Sequence, residues 1–289
     1  MNRPDVHSFH HAATGTWTHV VADPATGVAA IIDPVLDYDA AAGRTGKVAV
    51  AALVEHVRGR ALRIDWILET HAHADHLTAA PAVREALGGR VAIGAGIAGV
   101  QARFKPLYGM EATFATDGSQ FDRLFVDGDT FAIGGLAATV IACPGHTDDS
   151  LAYLIGDALF TGDSIFLPDA GTARCDFPGG DAATLYRSIR RLFELPPDTR
   201  VFVCHDYGPG GRPVACETTI GAQRRDNIHV RDGVDLEAFV AMRTARDATL
   251  ALPALIHPAL QVNLRAGELP PPGPDGIRHL RIPLDQCGD

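Results

Sequence analysis

His71, His73, Asp75 and His76 lie within six positions and spell the pattern HxHxDH. Imidazole nitrogens and carboxylate oxygens are the donors that hold zinc, iron or manganese. A lone histidine in a polar loop is ordinary, but three with an aspartate directly after an apolar run make a metal-binding pattern. Three more candidates follow: His146 in Cys143-Pro144-Gly145-His146-Thr147, Asp163 in Phe160-Thr161-Gly162-Asp163, and His205 in Val203-Cys204-His205-Asp206. Taken singly, each is as readily a packed histidine or a turn aspartate as a ligand. Together they form an ordered series whose members all sit where an apolar stretch stops. That is how a metal site assembled from several loops on a rigid scaffold looks in sequence.

The elements that must position these residues can be read from hydrophobic spacing. Thr18–Ala22 and Val28–Asp33 read as strands around the turn Asp23-Pro24-Ala25-Thr26-Gly27. Thr45–Arg58 has near-helical apolar spacing, Leu62–Glu69 is a buried strand, Leu77–Leu87 a helix and Val91–Ile93 a strand. This order predicts an α/β protein with its polar cluster at a strand's C-terminal end, where ligand sites collect. Thr130–Ile133, Ala137–Ala142, Leu151–Ile155 and Ala158–Phe160 read as consecutive antiparallel strands. Asp181–Phe193 reads as a helix, and Val201–Cys204 as a further strand. Past Cys216 the pattern is mostly helical, with helices expected over Leu236–Arg246 and Ala248–Leu255. The Pro-rich Leu269–Pro274 and a short tail, Ile277–Leu284, follow. No composition break marks a second domain. The expectation is a single domain over 1–289, with 215–289 a mostly helical C-terminal extension.

Composition narrows the class. The 289 residues are 46% hydrophobic and 21% charged, which excludes a disordered or collagen-like chain. With 25 Lys+Arg against 35 Asp+Glu the formal charge is −10, which argues against nucleic-acid and anionic-membrane binding. No apolar stretch reaches the 18 or so residues of a membrane span, and MNRPDVHSFHHAATG lacks the apolar core of a signal peptide. The five Cys (143, 175, 204, 216 and 287) form no CxxC pair, as expected in a reducing compartment. A cytoplasmic enzyme is the default expectation.

The series Thr70–His76, His146, Asp163, His205 resembles the metallo-β-lactamase superfamily over roughly residues 15–210. That resemblance implies a four-layer αβ/βα sandwich with the metal at one edge of its two sheets. Asp33-Pro34-Val35, Glu69–His76, Pro144-Gly145-His146-Thr147 and Gly171–Phe177 resemble the persulfide dioxygenases, also called sulfur dioxygenases or the ethylmalonic-encephalopathy-protein-like group. Their bacterial β-lactamase-hydrolase-like branch is the nearest match, and His205-Asp206-Tyr207 fits as well. Better-studied members usually carry Thr where this chain has Cys175, which leaves the metal set intact and puts the thiol substrate in question.

The chain keeps all seven positions of the superfamily's dinuclear site. His71, His73 and His146 would hold one zinc, Asp75, His76 and His205 a second, and Asp163 would bridge. Such a pair suits a glyoxalase-II-type hydrolase acting on S-acyl glutathione. The dioxygenase resemblance implies instead one Fe(II) per chain on His71, His146 and Asp163. That is a two-histidine-one-carboxylate set with three positions open. His73, Asp75, His76 and His205 would then orient the ligands and hydrogen-bond bound water. The implied reaction oxidises a glutathione-type persulfide with O2 to sulfite and thiol. Asp75 and Tyr207 are the expected catalytic groups, and Arg174 and Tyr207 the expected substrate contacts. Arg174 is equally readable as a salt bridge to Asp176, and Tyr207 as a packed ring. Arg224 and Arg225 read as a solvated helix face, and Cys175 as apolar filler more than as a reactive thiol. Cys143 and Cys204 read as packing. A non-catalytic metal-binding module is the weakest reading, and a homodimer is a reasonable expectation.

Overall fold

The computed structural model describes residues 3–286, so Cys287 lies outside the described residues. The first half runs β1 (Asp5–His11), β2 (Thr16–Ala22), β3 (Val28–Ile32), the short strands β4 (Val35–Leu36), β5 (Tyr38–Asp39) and β6 (Arg44–Thr45), α1 (Val48–Gly59), β7 (Arg63–Leu68), β8 (Leu77–Thr78), α2 (Ala80–Leu87), β9 (Arg90–Gly94), α3 (Ile97–Leu107) and β10 (Arg123–Phe125). The second half runs β11 (Thr130–Ile133), β12 (Leu136–Ala142), β13 (Leu151–Ile155), β14 (Ala158–Phe160), α4 (Ala182–Leu192), β15 (Arg200–Phe202), β16 (Glu217–Thr219), α5 (Ile220–Asp226), α6 (Leu236–Asp247) and α7 (Ile256–Asn263).

Two six-stranded sheets result, in the orders β1-β2-β3-β7-β9-β10 and β11-β12-β13-β14-β15-β16. Strands β3, β7, β9 and β10 are mutually parallel, as are β14 and β15, while the other neighbours within the two sheets are antiparallel.

Side chains on a strand alternate between faces, and both faces are used here. Ala30 and Ile32 of β3 point between the sheets with Trp66, Leu68, Phe160 and Phe202. Ala29 and Ile31 point outward, into a cluster with Leu53 of α1, Val83 of α2 and Val100 of α3. On the second sheet, Leu159 and Val201 point outward against Leu185 and Ile189 of α4 and Phe239 of α6. Burial on both faces explains why the central strands read as continuous apolar runs. The four layers are those of the αβ/βα sandwich expected. No helix among the described residues is long and apolar enough to cross a membrane.

Several sequence readings need correction. Ala248–Leu255 is not a helix: α6 ends at Asp247 and the chain stays irregular until α7. Leu252 precedes Pro253, and a residue before proline is pushed out of the helical region. Helix α2 begins at Ala80, because Leu77 and Thr78 pair with Leu36 and Val35 instead. Beyond Cys216, Glu217–Thr219 forms an edge strand on β15, and no helix or strand follows Asn263 through residue 286. The region beyond residue 215 is therefore only partly helical. Strands β1 and β10 and helix α3 carried no usable apolar rhythm. In β1 the polar His7, Ser8, His10 and His11 mask an edge strand paired along its whole length with β2.

His19 of β2 shows what the core demands of a polar group. Its ring lies 5.3 and 5.7 Å from Phe160 and Phe202. Its Nε2 faces the Val203 carbonyl at 3.1 Å and its Nδ1 faces the Ser8 hydroxyl at 2.8 Å. Burial pushes the imidazole down to about 4. As pH falls below about 6.5 the unfolded chain takes a proton that the folded chain refuses until pH nears 4. Stability is thus lost across that window, by up to about 3 kcal/mol from this group. We expect His19→Phe to flatten the slope of urea-unfolding free energy between these pH values. A variant with the wild-type slope would refute the assignment.

Candidate metal centre

The centre is built where strands of both sheets end. Directly after β3, Asp33 adopts a left-handed backbone with φ of 49°. Its Oδ1 accepts the Thr70 amide at 2.8 Å and its Oδ2 accepts the Thr70 hydroxyl at 3.0 Å. The same carboxylate lies 3.1 Å from His73 Nε2. Asp33 therefore fixes the first turn of the histidine loop and the ring of its second histidine. Asp149 holds the residue between His71 and His73, accepting the Ala72 amide at 2.9 Å.

Two glycines let the other sheet's loops approach. Gly162, with φ of +50°, passes so close that a Cβ would stand 2.5 Å from Thr70 Oγ1, and Asp163 follows it. Gly145, with φ of +134°, would place a Cβ 2.2 Å from the Leu185 backbone nitrogen of α4, and His146 follows it. Only glycine fits either place.

All seven residues of the series are brought together. His71 Nε2 and His146 Nε2 lie 3.7 and 3.8 Å from Asp163 Oδ2. His205 Nε2 lies 3.3 Å from Asp163 Oδ1 and 3.2 Å from Asp75 Oδ2. His73 Nδ1 lies 3.8 Å from Asp75 Oδ1, and His76 Nδ1 lies 3.4 Å from Asp75 Oδ2. Four donor groups, each with one atom per residue inside 4.8 Å, occur among the described residues: His71, His146 and Asp163; His73, Asp75, His76 and His205; His73, Asp163, Cys204 and His205; and Asp33, Glu69 and His73.

The chemistry of these donors fits a metal ion. His71 Nε2, His73 Nδ1, His76 Nε2, His205 Nε2 and Asp163 Oδ1 are buried without a hydrogen-bond partner among the described residues. Buried polar atoms are nearly always satisfied, so five unsatisfied atoms within these donor groups fit a bound cation. Burial, then the neighbouring histidines, hold His71 and His73 well below the usual imidazole range, so both offer lone pairs. Burial raises the Asp163 carboxyl, against the pull of His205. Asp75 falls well below the carboxylate range despite its burial, held there by His205, His76 and His73. The His146 ring is oriented by Nδ1 facing the Arg174 carbonyl at 2.7 Å, which leaves Nε2 for the centre.

A cavity of about 430 Å³ opens on this cluster; Asp75, His146, Asp163 and His205 contribute to its wall. Arg174 lines it too, but its fork already grips Asp176 (Nε–Oδ1 and Nη2–Oδ2, both 2.6 Å) and its Nη1 donates to the Ala251 carbonyl at 2.6 Å. The salt-bridge reading of Arg174 is the one observed. Tyr207 is largely exposed at the cavity wall, its ring parallel to His205 at 6.0 Å, rather than packed in the core. Burial pushes the Cys175 thiol up to about 12, and its amide donates to Asp247, so it packs as a neutral filler. Burial raises the buried thiols of Cys143 and Cys204 likewise. Arg224 and Arg225 pair with Asp232 and Asp226, and neither lines the cavity.

Sequence reasoning missed three supports. Asp33 and Thr70 were visible only as parts of motifs. Asn263 of α7 had no signal, because it lies 187 residues beyond His76. Its Nδ2 donates to the carbonyls of His73 and His76, both at 2.8 Å, and its Oδ1 accepts the Thr78 amide at 2.9 Å. We expect Asn263→Ala to lower stability by about 1–3 kcal/mol for each buried group left dry. It should also weaken metal retention by about 10–100-fold against a competing chelator. Asp163→Ala should abolish retention altogether. Full metal content in that variant would disprove the donor set.

Comparison with known proteins agrees with this geometry. Residues 13–205 match the family model described as "Metallo-beta-lactamase superfamily". A "Beta-lactamase hydrolase-like protein" of Agrobacterium fabrum is 48% identical over 282 residues, which cover 98% of this chain and 65% of that protein. The human "Persulfide dioxygenase ETHE1, mitochondrial" is 29% identical over 87% of this chain and 84% of that protein. The crystal structure of ETHE1 from Myxococcus xanthus superposes with a TM-score of 0.72 at 32% identity, over 91% of this chain and 100% of that one. The chain belongs to the metallo-β-lactamase superfamily.

Proposed function

We propose that this superfamily member is an iron-dependent persulfide dioxygenase, in which a glutathione-type persulfide, O2 and water give thiol, sulfite and two protons. The observation that carries the reading is the compact group His71, His146 and Asp163, two members of which line the cavity. Two imidazoles and one carboxylate are the donor set of non-haem Fe(II) oxygenases and leave open positions for two substrates. The likeness to the two ETHE1 proteins supports it.

Bound iron would supply the one chemistry these side chains lack, electron transfer between sulfur and O2. The protein supplies position and charge. The Arg174 carbonyl keeps His146 Nε2 aimed at the centre. Asp75 enters the cavity as a carboxylate, held ionised by His205, His76 and His73 despite its burial, and can accept a hydrogen bond from a bound water or from the substrate and so orient it. Tyr207 presents a hydroxyl, without a hydrogen-bond partner among the described residues, to the substrate's polar arm.

The carboxylates of that arm need a cation within a chain of charge −10. Arg174 is occupied, and Arg243 is buried against Asp247 and the Thr172 carbonyl. Arg246 lines the same cavity and makes no ion pair among the described residues, so it is the free anchor. Loss of a charge-assisted hydrogen bond is worth about 1.5–3 kcal/mol. Arg246→Glu should therefore raise KM for glutathione persulfide by about tenfold or more and leave kcat largely unchanged. An unchanged KM removes Arg246 from the site.

A second reading rests on the second donor group, His73, Asp75, His76 and His205, toward which Asp163 turns its Oδ1. Two zinc ions bridged by Asp163 would make a glyoxalase-II-type hydrolase of S-acyl glutathione. Metal analysis of chelator-free protein, with oxygen-electrode and sulfite assays, decides. We expect about one iron per chain and oxygen uptake on glutathione persulfide. Two zinc per chain, thioester hydrolysis and no oxygen uptake would establish the second reading instead.

A further inference from the structure

We propose that a small apolar cavity on the far side of His146 admits dioxygen to the centre. The inference rests on the dioxygenase reading and adds a separate path for the second substrate. The cavity, about 30 Å³, is walled by Val100 and Phe104 of α3, Ile256 and Leu260 of α7, and Ala72 and Ala74 of the histidine loop. Ala74, His146 and Phe177 also line the main cavity, so these three stand between the two spaces. At the surface, Arg103 holds Asp148 (Nη2–Oδ2, 2.6 Å) and the Pro178 carbonyl (3.0 Å), and both partners belong to the cavity wall.

The chemistry of the wall selects the occupant. A buried water needs two to four polar partners. Apart from His146 Nε2, which is left for the centre, the polar side chains here are engaged. Thr147 Oγ1 bonds Ser150 at 2.6 Å, Asp148 is held by Arg103, and His146 Nδ1 faces the Arg174 carbonyl. A space with so few free polar groups favours a small apolar molecule over water. It is too small for a persulfide carrying a peptide arm. Once such an arm fills the main cavity, oxygen arriving through the main mouth meets a blocked path, whereas the side cavity still reaches His146.

The test combines kinetics with a probe that needs no turnover. Val100→Phe fills the space from α3 without touching the donor set, and Val100→Leu fills it more gently. With matched Tm and iron content, we expect KM for O2 to rise several-fold in Val100→Phe, with KM for persulfide and kcat at saturating O2 unchanged. Crystals of the wild-type protein pressurised with xenon should show xenon between Val100 and Leu260. A folded Val100→Phe with an unchanged KM for O2, or a wild-type cavity that takes no xenon, overturns the inference. Wild-type protein that consumes no oxygen on glutathione persulfide overturns the dioxygenase reading itself.

Discussion

The centre depends on one buried carboxylate. Asp33 ends the strand β3 in a conformation that most residues avoid, and it accepts from the Thr70 amide, the Thr70 hydroxyl and the His73 ring. Strands β3 and β7 are parallel neighbours, so their C-terminal ends lie side by side, and Asp33 converts that adjacency into a fixed loop geometry. Everything further out inherits this reference point. The Gly162 turn rests on Thr70 and delivers Asp163, and His73 is turned so that Nδ1, not Nε2, faces the donor cluster. Without the hub, five imidazoles and two carboxylates would each find separate compromises with solvent.

The price of such order is electrostatic. Burial favours neutral imidazoles and protonated carboxyls, whereas a metal needs neutral imidazoles and ionised carboxylates. Side-chain contacts alone meet these demands only in part: His71 and His73 are held neutral, whereas His205, despite its burial, is pushed up by Asp163 and Asp75 and lies 3.2 Å from Asp75. A cation placed among them replaces shared protons with coordinate bonds. The same logic divides the cavity's arginines, since two guanidinium groups are committed to Asp176 and Asp247 while Arg246 lines the wall without an ion pair among the described residues.

Much of this was legible in the sequence because strand ends are local events. The metal-binding pattern follows directly on the apolar run of β7, and His146, Asp163 and His205 each follow a buried strand, so residue type and apolar spacing together marked seven strand-end residues that the fold brings together. The fold class followed from the order of strands and helices. The failures were non-local. Strand β1 is defined by its ladder with β2 and not by its own alternation, and Asn263 is recognised only once α7 packs beneath the histidine loop. Arg174 illustrates a third kind of limit: sequence offered both a clamp and a salt bridge, and the choice was made by the Ala251 carbonyl, a main-chain atom that no side-chain pattern encodes.

The tie from Asn263 to the His73 and His76 carbonyls also orders events in time. During synthesis the histidine loop and the other donors, through residue 205, leave the ribosome well before α7 does. For that interval the loop carbonyls have no partner from α7, and Leu77 lacks its packing against Ala259 and Val262. The last helix therefore makes its contribution late: the His73 and His76 carbonyls gain their Asn263 partner only after the chain has grown past residue 263.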